Sequence, residues 1–85
     1  MKKLVVITGA SSGIGEAIAK HFSEAGYPLL LVARRVEKLK ALNLQNCICE
    51  QVDVTDKEAF SNSIEKAEAQ YGPVECLINN AGVML

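Results

Sequence analysis

Four short apolar runs set the layout of the chain: Leu4-Val5-Val6-Ile7, Leu29-Leu30-Leu31-Val32, a mixed run over residues 47–52, and another over residues 74–78. Nearly unbroken apolar runs of this length suit strands covered on both faces, where no side chain has to meet water. Between them the period changes to that of helices. Ile14, Ala17, Ile18, Phe22 and Ala25 recur at helical spacing, and Gly26 with Tyr27-Pro28 supplies the stop. Val36, Leu39 and Leu42 mark a short second helix with Lys38 and Lys40 on its outer side, and residues 43–46 form a polar turn. Thr55-x-x-Glu58 predicts a capping box, in which hydroxyl and carboxylate satisfy backbone N–H groups at a helix start. Phe60, Ile64, Ala67 and Tyr71 continue the inner stripe of that helix, and Gly72-Pro73 ends it.

Strands alternating with helices predict an α/β fold, a doubly wound parallel sheet with helices on both faces and right-handed crossovers. In such a sheet the loops that follow the strands open on one edge, where ligands bind. A length of 85 residues allows one small domain, and 49% hydrophobic with 22% charged residues is the composition of a chain that folds around a core. A formal net charge of -1 gives no field to gather nucleic acid or an anionic membrane, so any anion is bound locally. Met1-Lys2-Lys3 precedes an apolar run too short for a signal peptide, and no run reaches the roughly 20 apolar residues of a membrane helix. A cytoplasmic protein is expected. Cys47, Cys49 and Cys76 match neither a C-x-x-C redox pair nor a zinc ligand set, and read as buried, reduced thiols.

The candidate chemistry lies in the run TGASSGIG between the first strand and the first helix. A strand that enters a glycine turn and then a helix N-terminus makes an anion site from backbone N–H groups and the helix dipole. Gly9 suits the tight turn, Gly13 a close backbone approach to a diphosphate, and Gly15 close packing of helix on strand. Ser11 and Ser12 add hydroxyl donors, and Ile14 lies between the last two glycines. The spacing G-x-x-x-G-x-G differs from the common G-x-G-x-x-G dinucleotide loop, and the absence of lysine separates it from the P-loop. An ordinary flexible turn is the competing reading.

This loop resembles the coenzyme loop of the short-chain dehydrogenase/reductase family, in its compact single-domain branch. Three further motifs fall in the family's order: ARR after the second strand, DVTD after the third and NNAG after the fourth. The resemblance spans the chain and implies a Rossmann-type segment over residues 1–85, the first, coenzyme-binding half of a longer one-domain protein. It implies an oxidoreductase that moves hydride between a nicotinamide and a small carbonyl or alcohol substrate, working as a homodimer or homotetramer. Where NAD enzymes carry an acidic residue on the ribose 2′-hydroxyl, this chain has Arg34 and Arg35, whose guanidinium groups suit a 2′-phosphate. NADP(H) is therefore the expected coenzyme, with solvated surface charge as the alternative role for the two arginines.

By the same resemblance Asp53 accepts from the adenine amino group beside the Val54 backbone, although N-capping by Asp53, Thr55 or Asp56 competes for that carboxylate. Asn79 and Asn80 carry amides able to bind backbone where the fourth strand opens, and Ala81 and Gly82 are small enough for a ribose to lie close. The family's reaction uses a serine and a Tyr-x-x-x-Lys pair. Leu31 follows Tyr27 by four residues and Glu75 so follows Tyr71, so neither tyrosine fits; the lone His21, on the first helix, is no better placed. No catalytic residue is assigned here. Two other readings are a non-catalytic NADP(H)-binding module that senses redox state and an inactive fragment.

Overall fold

A computed structural model describes residues 2–10 and 13–80. The elements run β1 (Leu4–Thr8), α1 (Gly13–Glu24), β2 (Leu29–Ala33), α2 (Glu37–Ala41), β3 (Cys47–Gln51), α3 (Lys57–Tyr71) and β4 (Val74–Asn79). All strand pairs are parallel and the sheet order is β3-β2-β1-β4. The chain therefore winds outward from β1 in one direction and then crosses back to place β4 on the other side of it. The point of reversal lies beside β1, where doubly wound sheets bind their ligands.

The two inner strands are buried along their whole length, which is why their sequences show no polar alternation. Val5, Ile7, Leu29, Leu31 and Ala33 face one core with Ala19 of α1 and Leu39 of α2. Leu4, Val6, Leu30 and Val32 face the other with Ala67 of α3, flanked by Phe60, Ile64 and Tyr71. Burying each such aliphatic side chain is worth about 1.5–3 kcal/mol, so this central pair of strands anchors the fold. β4 alternates half-buried and exposed positions, and Leu77 is 51% exposed. Among the described residues β4 pairs only with β1.

Two local expectations are corrected. The capping box at Thr55 does not form: Asp56 is the N-cap of α3, accepting from Ala59 N at 3.1 Å, while the Thr55 hydroxyl turns back to Asp53. A carboxylate one residue nearer the helix reaches the first-turn N–H groups better, and it complements the dipole. The inner stripe of α1 is also rotated. Gly15 and Ala19 are buried, Ile18 and Phe22 half-buried, while Ile14, Ala17 and Ala25 are exposed. Close approach of the helix at Gly15 sets this rotation.

The three cysteines are free thiols and half-buried. The Cys47 thiol is pushed up to about 12, mainly by burial and then by its neighbour Cys49, and burial also raises Cys49. Both are neutral at physiological pH.

Candidate functional site

All four motifs follow the carboxyl ends of parallel strands, so the topology brings them to one edge of the sheet. Thr8 at the end of β1 is in register with Val32 of β2 and Asn79 of β4, and Ala33 with Gln51 of β3. Gly9 turns the chain away from β1 with φ +64, a left-handed conformation that costs an L side chain about 1–2 kcal/mol. Ala10 then buries completely, with its N–H directed to Val32 O at 3.4 Å, which ties the turn to β2.

Gly15 is the tightest point of the site. A Cβ there would lie 2.6 Å from Gly9 O and 2.7 Å from Ala10 Cα, so only glycine lets α1 start against the turn. Gly13 differs: among the described residues a Cβ would meet nothing within 4 Å. The first glycine of the helix is thus not needed for packing against the described residues. Ile14 beside it is 51% exposed.

The β4 motif fastens this turn. Asn80 Nδ2 donates to Gly9 O at 3.1 Å, and Asn80 N donates to Thr8 Oγ1 at 3.1 Å. Thr8 in turn donates to Asn79 Oδ1 at 2.9 Å. The expected contact between amide and backbone is made by Asn80, and its partner is the glycine turn itself, whereas the Asn79 amide oxygen takes the Thr8 hydroxyl. Thr8 is a member that hydrophobic patterning does not single out. It is only 2% exposed, and its signal is a lone hydroxyl closing an apolar strand. Thr8→Val keeps the shape and removes the acceptor used by Asn80 N–H. A loss of about 1–3 kcal/mol is expected in urea unfolding, and unchanged stability would show that the clasp contributes nothing.

At the other side of the edge, Arg34 leaves β2 with its side chain 80% exposed, its Nε 3.8 Å from Asp53 Oδ2. Arg35 is also exposed. Asp53 Oδ1 accepts from Thr55 N at 2.9 Å and from Thr55 Oγ1 at 2.7 Å. These bonds from Thr55, then Arg34, hold its carboxyl below the usual carboxylate range. Asp53 therefore shapes the loop after β3 and leaves the N-cap to Asp56. Val54 is half-buried and packs against the core under α3. Ser11, Ser12, Ala81 and Gly82 lie outside the described residues.

The tyrosines take no part in this edge. Tyr27 packs edge-on against Phe22, with ring centroids 5.3 Å apart, beneath Lys2. Burial pushes the Tyr71 phenol up, opposite to what a catalytic tyrosine needs.

A family model described as short chain dehydrogenase matches residues 3–85. The chain belongs to the short-chain dehydrogenase family. An uncharacterized oxidoreductase of Listeria monocytogenes is 43% identical over 88 residues, covering 96% of this chain and 36% of that protein. The NADP-dependent 3-hydroxy acid dehydrogenase YdfG of Salmonella typhi is 36% identical, covering 96% of this chain and 34% of its own. The solved structure of ElxO with NADP bound matches with a TM-score of 0.83 at 37% identity, covering 100% of this chain and 37% of that one. This short-chain dehydrogenase chain thus spans about a third of the length of the relatives it matches. The fold is of the Rossmann type seen in these neighbours.

The residues present fit a phosphorylated dinucleotide. The turn at Gly9 leads into the start of α1, where no described atom lies within 4 Å of a Cβ at Gly13, and the exposed guanidinium of Arg34 stands at the same edge. No helix among the described residues is long and apolar enough to cross a membrane.

Proposed function

We propose that this chain forms the adenosine and diphosphate half of the coenzyme site of an NADP(H)-dependent oxidoreductase. When bound, the coenzyme supplies hydride exchange with a carbonyl or alcohol carbon of a small substrate. The chain's own residues bind and orient it. Gly9, Gly13, Ile14 and Gly15, with Ser11 and Ser12, hold the diphosphate. Arg34, assisted by Arg35, recognises the 2′-phosphate. Asp53 and Val54 border the adenine, and Asn80, Ala81 and Gly82 the ribose.

The observation that carries this reading is Arg34, exposed at the end of β2 where a carboxylate would repel the extra phosphate. The NADP-bound ElxO structure and the NADP-dependent Salmonella relative support the same choice. A cytoplasmic homodimer or homotetramer is part of the proposal, as is catalysis by groups outside these 85 residues.

Thermal melting of the chain with NADPH and with NADH tests the reading, because a ligand that binds only the folded form raises the midpoint. NADPH at about 100 times its dissociation constant adds about 2.7 kcal/mol, a rise on the order of 10 °C for a domain of this size. No rise with either coenzyme overturns the site. Equal rises at equal concentration overturn the selectivity and leave the nucleotide site standing.

A further inference from the structure

Away from the coenzyme edge, Cys47 and Cys49 stand at the first and third positions of β3, nearer the amino ends of the strands. Residues two apart on a strand share a face, and both side chains face the core shared by α1 and α2. Their Sγ atoms are 3.9 Å apart. The two thiols line a surface cavity of about 270 Å³ with Leu39, Lys40, Asn43 and Leu44.

The separation distinguishes among the fates of a thiol pair. A disulfide needs its sulfurs about 2.05 Å apart and Cα atoms within about 6.8 Å. Positions two apart on a strand are about 6.6 Å apart at Cα, at the limit of that range, so closure would distort an ordered strand. Two thiolates on one metal ion behave differently. With metal–sulfur bonds of about 2.3 Å, a tetrahedral centre sets its sulfurs about 3.8 Å apart and a trigonal one about 4.0 Å. The pair as it stands already has that spacing. Among the described residues no third His, Cys, Asp or Glu joins it, which excludes a closed structural zinc site built from them.

We propose that Cys47 and Cys49 form a bidentate site for one soft d10 cation, Cu(I), with the remaining coordination position open to the cavity and filled by a small external thiol or water. Thiolates select such ions over harder ones. Each Sγ gives its proton to solvent as its bond to the ion forms, and nothing is oxidised or reduced. Two thiolates and one monovalent ion carry a net charge of -1, which the Lys40 ammonium beside Cys49 offsets. Cys76 is excluded by topology. It shares a rung with Cys47 through Leu29 and Val5, three strands away, or about 14 Å.

The test is anaerobic titration of the chain with Cu(I) against bicinchoninate, whose coloured complex bleaches as the chain takes the ion. One ion per chain is expected, retained in Cys76→Ser and lost in both Cys47→Ala and Cys49→Ala, with folding of each checked by circular dichroism. Uptake that survives either alanine variant, or that disappears in Cys76→Ser, overturns the proposal. Alkylation under mild denaturation, mapped by mass spectrometry on the unsubstituted chain, gives a readout free of any folding defect. Cu(I) should slow modification of Cys47 and Cys49 and leave Cys76 unchanged; protection of all three, or of none, overturns the site.

Discussion

Replacing Arg34 by alanine is expected to weaken NADPH binding by about 10- to 100-fold while leaving NADH binding within about twofold. The magnitude is that of the hydrogen bond the substitution removes. A charge-assisted hydrogen bond from guanidinium to phosphate contributes roughly 1.5–3 kcal/mol, and 1.4 kcal/mol is a decade in affinity. Against it stands the existing pair with Asp53. Arg34 must loosen that pair to reach a phosphate, but the pair is long at 3.8 Å, with side chains 80% and 47% exposed. Exposed pairs of this kind are worth about 0–1 kcal/mol, so the phosphate wins. Asp53 keeps its other oxygen on Thr55 and does not collapse when Arg34 moves. Isothermal titration with both coenzymes gives the answer. Equal losses for NADPH and NADH would mean that Arg34 supports the fold of the edge and does not read the 2′-phosphate. Arg34→Lys separates charge from shape: lysine keeps the attraction but loses the fork, and should fall between the two.

The positions of these motifs were legible because they depend on order alone. Apolar runs alternating with helical stripes dictate parallel strands, and parallel strands put every following loop on one edge. Asn80 therefore meets Gly9 at that edge although 71 residues separate them in the chain, and Arg34 meets Asp53 there too. What the pattern does not carry is decided by distances of an ångström. Whether Thr55 or Asp56 caps α3 depends on which side chain reaches Ala59 N, and both are good capping residues. The rotation of α1 is similar. Ile14 continues an apolar period, but close packing at Gly15 turns that position outward. The Thr8 hydroxyl is hidden for a different reason, since its partners Asn79 and Asn80 lie 71 and 72 residues along the chain.

Gly15→Ala and Gly13→Ala are expected to separate the two uses of the glycine loop. At Gly15 the added Cβ would sit 2.6 Å from Gly9 O and 3.0 Å from Ala10 C, both backbone atoms that cannot rotate aside. Relief requires α1 to move off the turn, and overpacking of this kind costs about 1–3 kcal/mol. For a domain of this size each kcal/mol lowers the melting midpoint by about 4–8 °C, so Gly15→Ala should melt well below the unsubstituted chain. Gly13 presents the opposite case. Among the described residues its Cβ would meet nothing within 4 Å, and Gly13 opens α1 with helical backbone, so stability should hold within about 0.5 kcal/mol. If the diphosphate lies against that position, the same methyl crowds the ligand instead of the protein. A penalty of about 1–3 kcal/mol then appears as roughly 5- to 150-fold weaker binding of NADPH and NADH alike. The pair of coenzymes matters here, because both carry the diphosphate and only one carries the 2′-phosphate. Weakening of both in Gly13→Ala, beside weakening of NADPH alone in Arg34→Ala, would place the two halves of the ligand on the two halves of the edge. A Gly13→Ala chain that melts and binds like the unsubstituted one would mean that the diphosphate does not approach the loop at Gly13, and the glycine there would need another reason.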